Sequence, residues 1–299
     1  MKAGRISNGL KILPLALVLL SLCAAGIAQA DEVKAKEHFN SALKAQNEKN
    51  DSLAIAGYKD AIKEDPSFAD AYINLGSIYF AKEQFADAES NFKKATEVAP
   101  DNPDTWANLG RTYYKRDKFT ESENAYKTAL AKKSDYTDIY KDLGFLYYSQ
   151  GNWPALIDNI KIYTERNPTD ATALYLLGKG YQNLKKYPEA IAAYNRTAEV
   201  DKNNFNAFNS MGQIYLAQEN YSQAFRMFDR AVALKPDNFN ALYNLAISYE
   251  HENQDKVDQV LKYWNNFLRV AKNNPKAQKL IPQTEEHIKE LQALKEAGQ

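Results

Sequence analysis

One spacing dominates this chain. Gly76, Gly110, Gly144, Gly178 and Gly212 stand 34 residues apart, and so do Tyr79, Tyr113, Tyr147, Tyr181, Tyr215 and Tyr249. Leu75, Leu109, Leu143, Leu177 and Leu245 keep the same step, with Met211 in the one remaining place. A fixed period of this kind means a small unit copied in tandem. Each copy is too small to bury its own apolar face and becomes stable only when stacked on the next.

Neighbouring residues extend the pattern. Residues 69–102 carry Tyr72, Leu75, Gly76, Tyr79, Phe85, Ala88, Phe92, Ala95 and Pro100. Residues 103–136 carry Trp106, Leu109, Gly110, Tyr113, Phe119, Ser122, Tyr126 and Ala129. Residues 205–238 carry Phe208, Met211, Gly212, Tyr215, Tyr221, Ala224, Phe228, Ala231 and Pro236. This order resembles the tetratricopeptide repeat (TPR) family, whose pattern is Trp-x-x-Leu-Gly-x-x-Tyr, then Ala, an aromatic, Ala and Pro. The resemblance implies an all-α TPR solenoid, a right-handed superhelix of antiparallel helix pairs. Seven repeats are expected, at 35–68, 69–102, 103–136, 137–170, 171–204, 205–238 and 239–274. The copies at 137–170 and 171–204 fit less tightly, and Trp153, Leu156, Ile160 and Tyr163 stand in for the usual residues in the former. The first copy keeps Ala42, Ala54, Tyr58, Ala61 and Pro66. The last keeps Leu245, Ala246 and Tyr249 before two extra residues, after which Val257, Val260, Trp264 and Phe267 take the later positions.

In such a unit, glycine at position 8 and alanine at position 20 remove bulk where the two helices touch, and the aromatics fill the space between them. Alanine at position 27 lets the next repeat stack. Proline at position 32 ends the second helix, because it lacks an N–H and clashes with the preceding turn. Residues 275–299 are expected to form a C-terminal capping helix, with Ala277, Leu280, Ile281, Ile288, Leu291 and Leu294 on one face and Lys and Glu on the other. Pro282 either kinks it or starts a second piece.

The first thirty residues have a separate character. Lys2, Arg5 and Lys11 precede an almost wholly apolar run from Ile12 to Ala28, and Ala28-Gln29-Ala30 offers small residues where a signal peptidase reads. This is the layout of a secretory signal peptide spanning residues 1–30. Two alternatives stand beside it. The apolar run could stay as an anchor, though about 17 residues is the short edge for crossing a bilayer. Cys23 could be lipidated, though Leu22 is large where a lipoprotein signal takes a small residue. Cleavage after Ala30 leaves no cysteine, and so no disulfide, thiol nucleophile or zinc–thiolate site. It also leaves 35 Lys and Arg against 38 Asp and Glu, a net charge of −3. That balance argues against nucleic acid as a partner, since phosphate binding needs a basic footprint. The expected location is outside the cytoplasm, in the periplasm or otherwise at the envelope. Membrane contact is expected only through an uncleaved or lipidated N-terminus.

Little points to catalysis. His38, His251 and His287 fall in different units, without the spacing of a metal site. Gly178-Lys179-Gly180 lacks the full phosphate-loop spacing, and Gly178 already belongs to the repeat. Asn195-Arg-Thr197 and Asn220-Tyr-Ser222 match glycosylation sequons by chance in a chain rich in asparagine. No nucleophile elbow or cofactor fingerprint is present. The expectation is a non-enzyme with no cofactor and no metal.

The family resemblance implies that first-helix positions 2, 5, 6, 9, 12 and 13 line a concave groove. Position 6 carries Asn40, Asn74, Asn108, Asp142, Leu176, Ser210 and Asn244. This row resembles the asparagine ladder in the TPR part of O-linked N-acetylglucosamine transferase, where amides hold a peptide backbone. An amide has one acceptor and two donors, so it can grip a peptide unit from two sides. Asp142, Leu176 and Ser210 break the row, and asparagine is common at this position in TPRs of every kind. Phe80, Tyr114, Phe145, Tyr148, Tyr175 and Tyr243 are aromatic groove positions, either anchors for a partner or packing for neighbouring helices. Arg111, Lys115 and Lys179 are basic, and Asp70, Asp104 and Asp138 form an acidic row at position 2. The pattern that clamps a C-terminal carboxylate fails: Lys141 has Phe145 at position 9 of its repeat and Leu176 at the following position 6.

The expected groove residues are therefore Asn40, Asn74, Asn108, Arg111, Tyr114, Lys115, Tyr148, Tyr175, Lys179 and Asn244, with the second to fourth repeats as the primary surface. Truncating Asn74 and Asn108 is expected to leave stability nearly unchanged. The expected function is an interaction scaffold or adaptor that binds a peptide or protein segment. The alternatives are a non-catalytic subunit of an envelope enzyme or assembly complex, and a self-assembling structural solenoid.

Overall fold

The computed structural model describes residues 15–298, with side chains from Asp31 onward. The expected leader, its Ala28-Gln29-Ala30 site and Cys23 lie outside the described side chains. Among the described residues there are fifteen α-helices and no strand. No helix among them is long and apolar enough to cross a membrane.

The chain divides into two compact units, one reaching to Tyr136 and the other starting at Thr137. The first holds α1 (Leu15–Asn47), α2 (Asp51–Glu64), α3 (Ala69–Ala81), α4 (Phe85–Val98), α5 (Pro103–Lys115) and α6 (Phe119–Lys132). The second holds α7 (Thr137–Gln150), α8 (Trp153–Arg166), α9 (Ala171–Asn183), α10 (Tyr187–Val200), α11 (Phe205–Ala217), α12 (Tyr221–Leu234), α13 (Phe239–Glu252) and α14 (Val257–Ala271), then a 3₁₀ turn (Pro275–Leu280) and α15 (Ile281–Glu296). Within each unit every helix packs on the next in the chain. Turns of a few residues make such neighbours antiparallel, so each unit is a run of TPR-type helix hairpins.

The turns inside the first six hairpins share one geometry. Lys49, Glu83, Asp117, Gly151, Lys185 and Glu219 are left-handed, with φ between 56 and 68°. In the α3–α4 turn the Gln84 N–H reaches the Tyr79 carbonyl at 2.9 Å and the Glu83 N–H reaches Phe80 at 3.0 Å, which satisfies the last carbonyls of α3. The same bond to the period-setting tyrosine recurs from Lys118 to Tyr113 and from Lys186 to Tyr181. Asparagine or aspartate caps many of the helices: Asn102, Asp170, Asn204 and Asn238 each accept backbone N–H groups at the start of a first helix. Proline is not required to end a second helix. α6 and α10 stop at the same position as the others with Ser134 and Lys202 where proline stands elsewhere.

The glycines at position 8 make room for a bulky side chain, a ring at every one but Gly144, rather than for a bare backbone. A Cβ on Gly110 would lie 2.6 Å from Tyr126 Cδ1, and one on Gly212 would lie 2.8 Å from Phe228 Cε1. The occupants of that space, Tyr58, Phe92, Tyr126, Ile160, Tyr194 and Phe228, are among the most deeply buried side chains. In the first hairpin the small residue changes helix: Ala42 stands in the glycine's place, and a Cβ on the opposing Gly57 would come 2.9 Å from the Ala42 Cβ.

The C-terminal tail departs from one continuous apolar face. Pro282 sits in the first turn of α15, where its missing N–H costs nothing, so a new helix starts there. Ala277, Ile288 and Leu291 are buried together with Val260, Trp264 and Phe267. Leu294 is 45% exposed, and Thr284 is buried in the face instead.

Candidate functional site

All ten expected groove residues lie on first helices. In the first unit, α1 carries Asn40, α3 carries Asn74, and α5 carries Asn108, Arg111, Tyr114 and Lys115. In the second unit, α7 carries Tyr148, α9 carries Tyr175 and Lys179, and α13 carries Asn244.

The position-6 row is not one uniform ladder. Its chemistry follows the buried residue at position 24 of the preceding hairpin. Tyr58 is fully buried, yet its hydroxyl reaches the first-helix face, where it donates to Gln46 Oε1 at 2.6 Å and accepts from Asn74 Nδ2 at 3.2 Å. Asn74 is thus half-buried and partly committed to the fold. Phe92 has no hydroxyl, and Asn108 above it is free of that duty; its Oδ1 accepts from Arg111 Nη1 at 3.3 Å. Ile160 and Leu176 both border the space above Gly144, so the leucine that breaks the row matches an apolar neighbour. Ser210 faces the hydroxyls of Tyr194 and Tyr175, the latter at 3.4 Å. Asn244, over Phe228, and the exposed Asn40 have no side-chain hydrogen bond among the described residues.

Phe92 also forms part of a recess. It lies between α3 and α5, has a volume of about 90 Å³ and is lined by Ser77, Phe80, Phe92, Asn108 and Arg111. It combines an aromatic wall, an amide and a guanidinium. Close by, burial and a hydrogen bond to Asp104 push the Tyr136 hydroxyl up to about 12, opposed by the charge of Arg111. Arg111 is accordingly a positioned cation rather than a free one. Lys115 is exposed and has no ion pair among the described residues.

The aromatics resolve mostly as packing. Phe80 meets Phe85 edge-on at 5.4 Å, Tyr114 lies 6.0 Å from Phe119, and Tyr148 meets Trp153 edge-on at 5.7 Å. Each pair joins the end of a first helix to the start of its own second helix. Tyr175 packs on Tyr194, and Tyr243 on Trp264 and Phe267. Tyr148 keeps 40% exposure and remains available to a partner. Gln46, Ser77, Gln182 and Ser210 belong to these faces but were not among the expected residues. One signal could have found two of them: Gln46 and Gln182 each stand twelve residues before a buried tyrosine. Among the described residues, no group of three or more His, Cys, Asp or Glu side chains is gathered as a metal site requires.

The tetratricopeptide repeat family matches residues 67–135 and 169–237. Over those residues the chain is built of TPR repeats. The search of curated proteins finds no match. Among solved structures, the TPR protein YrrB, described as having an unusual peptide-binding site, is 23% identical with a TM-score of 0.58, over 62% of this chain and 96% of that one. The MamA protein is 22% identical with a TM-score of 0.54, over 56% of this chain and 92% of that one. The C-terminal part of a TPR repeat-containing protein from Cytophaga hutchinsonii is 18% identical with a TM-score of 0.67, over 81% of this chain and 98% of that one. At these identities the likeness is one of fold.

Proposed function

We propose that this TPR protein is an interaction scaffold that holds a peptide or protein segment on the first-helix face of its first unit. The observation that carries it is the recess between α3 and α5, where Asn108, Arg111 and Phe80 converge. An amide can pair with a peptide unit, a guanidinium can take a carbonyl or carboxylate, and the Phe80 wall can receive an apolar side chain. The peptide-binding site attributed to YrrB supports the same kind of ligand on the same fold. Selecting amidated random peptides on the purified protein, then following hydrogen exchange with the best binder, tests this. Protection that includes α3 and α5 supports it, and protection only elsewhere contradicts it.

The proposal includes export to the periplasm. Its support is the basic leader, the apolar run and Ala28-Gln29-Ala30. N-terminal sequencing of the protein from its native source should begin at Asp31. A start at Met1, or a lipidated Cys23, would contradict it.

A further inference from the structure

We propose that Lys179 on α9 is the docking point for an acidic side chain of the partner, a Glu or Asp held on the first-helix face of the second unit. This rests on the reading that first-helix faces of this protein bind protein segments, and it adds the chemistry that one of them selects.

Lys179 is half-buried, and among the described residues the only polar contact of its Nζ is Gln182 Oε1 at 3.5 Å. That oxygen is already taken by the Tyr194 hydroxyl at 2.7 Å. Nearby stand the Tyr175 and Ser210 hydroxyls, 3.4 Å apart and so only weakly satisfied by each other. Among the described residues the group holds an ammonium and three hydroxyls but no carboxylate. The Tyr194 hydroxyl already donates to Gln182, which leaves the ammonium and the Tyr175 and Ser210 hydroxyls to donate to an anion.

Lys141, in the same unit, shows how the chain treats a comparable cation. It too is partly buried, but its Nζ lies 2.6 Å from Asp170 Oδ2. Burial opposes its charge, yet the Asp170 carboxylate outweighs that and the ammonium ends above its ordinary value. At Lys179 burial acts alone and pulls the ammonium down. A desolvated cation without a counter-ion is unfavourable unless something outside the chain supplies one. A carboxylate arriving from a partner would supply it, and the hydroxyls of Tyr175 and Ser210 could bond its second oxygen. A chain-terminal carboxylate fits less well. The group has one charged donor, which suits a single acid on a segment already held along the face.

The test uses the purified full chain and two libraries of random peptides, one amidated and one with free C-termini. Wild type should enrich Glu or Asp at one fixed register within the amidated library. Lys179→Met should keep its unfolding midpoint and still bind peptides, but lose that enrichment; Lys179→Arg should retain it. For the best peptide, replacing its acid with the amide should weaken binding about tenfold on wild type and hardly at all on Lys179→Met. Acid enrichment that persists on Lys179→Met overturns the inference, as does peptide binding by wild type with no acid preference; in both cases the scaffold reading survives. Acid selection seen only at free C-termini also overturns the side-chain assignment. If no peptide binds at all, the scaffold reading fails with it.

Discussion

Ile160 occupies the volume that a side chain on Gly144 would need: a Cβ there would overlap Ile160 Cγ1 and Cδ1 and come within 3.6 Å of Leu176 Cδ2. Two helices of one hairpin and the first helix of the next meet at that point. Gly144→Leu should therefore cost at least the ~1–3 kcal/mol typical of overpacking. Each hairpin leans only on its neighbours, so damage here should split denaturant unfolding into two steps. A single transition at the wild-type midpoint would count against the nearest-neighbour account.

Asn74 and Asn108 look alike in sequence and should behave differently. Asn74→Ala removes the donor to the buried Tyr58 hydroxyl and should destabilise by about 0.5–1.5 kcal/mol. Asn108→Ala loses only its contact with Arg111 and should stay within about 0.5 kcal/mol of wild type. This departs from the sequence expectation that both truncations are silent, because of the Asn74–Tyr58 hydrogen bond. Urea midpoints of the two single variants decide it; equal costs would contradict a structural role particular to Asn74.

Glu89 is a buried carboxylate, 5% exposed. It receives Lys93 at 2.8 Å, Lys118 at 2.9 Å and Arg116. Burial raises its carboxyl, but the hydrogen bonds and charges of Lys93, Lys118 and Arg116 outweigh this and hold it below the ordinary carboxylate range. A folded-state value below the unfolded one stabilises above the unfolded value, and that stabilisation fades as pH falls through the folded value. Glu89→Gln should therefore be less stable than wild type at neutral pH, with the gap closing in acid. The loss should fall short of the ~3–5 kcal/mol of a fully buried pair, because the three cations are partly exposed. A gap that is constant from neutral pH into acid would show that Glu89 contributes only packing.

The glycine and tyrosine spacing made the helix hairpins and most of the core legible, because those residues are set by contacts inside one hairpin. The left-handed turn residue stayed hidden, since Lys49, Glu83, Asp117, Lys185 and Glu219 hold a conformation usually marked by glycine, and only Gly151 advertises it. The division of the position-6 row was also hidden. It depends on whether a buried ring from the preceding second helix ends in a hydroxyl, as at Tyr58 and Tyr194, or does not, as at Phe92. That relation crosses from one hairpin to the next. Leu294 misled because period alone cannot tell where α15 runs past the last residue it can cover.

The central claim is that the first-helix face of the first unit holds the partner. The most direct measurement is the affinity of a display-selected peptide for wild type and for the double variant Asn108→Ala with Arg111→Glu, each shown by circular dichroism and its unfolding midpoint to be folded. Binding should weaken at least about tenfold, roughly 1.4 kcal/mol. Equal affinity for two equally folded proteins would contradict the claim.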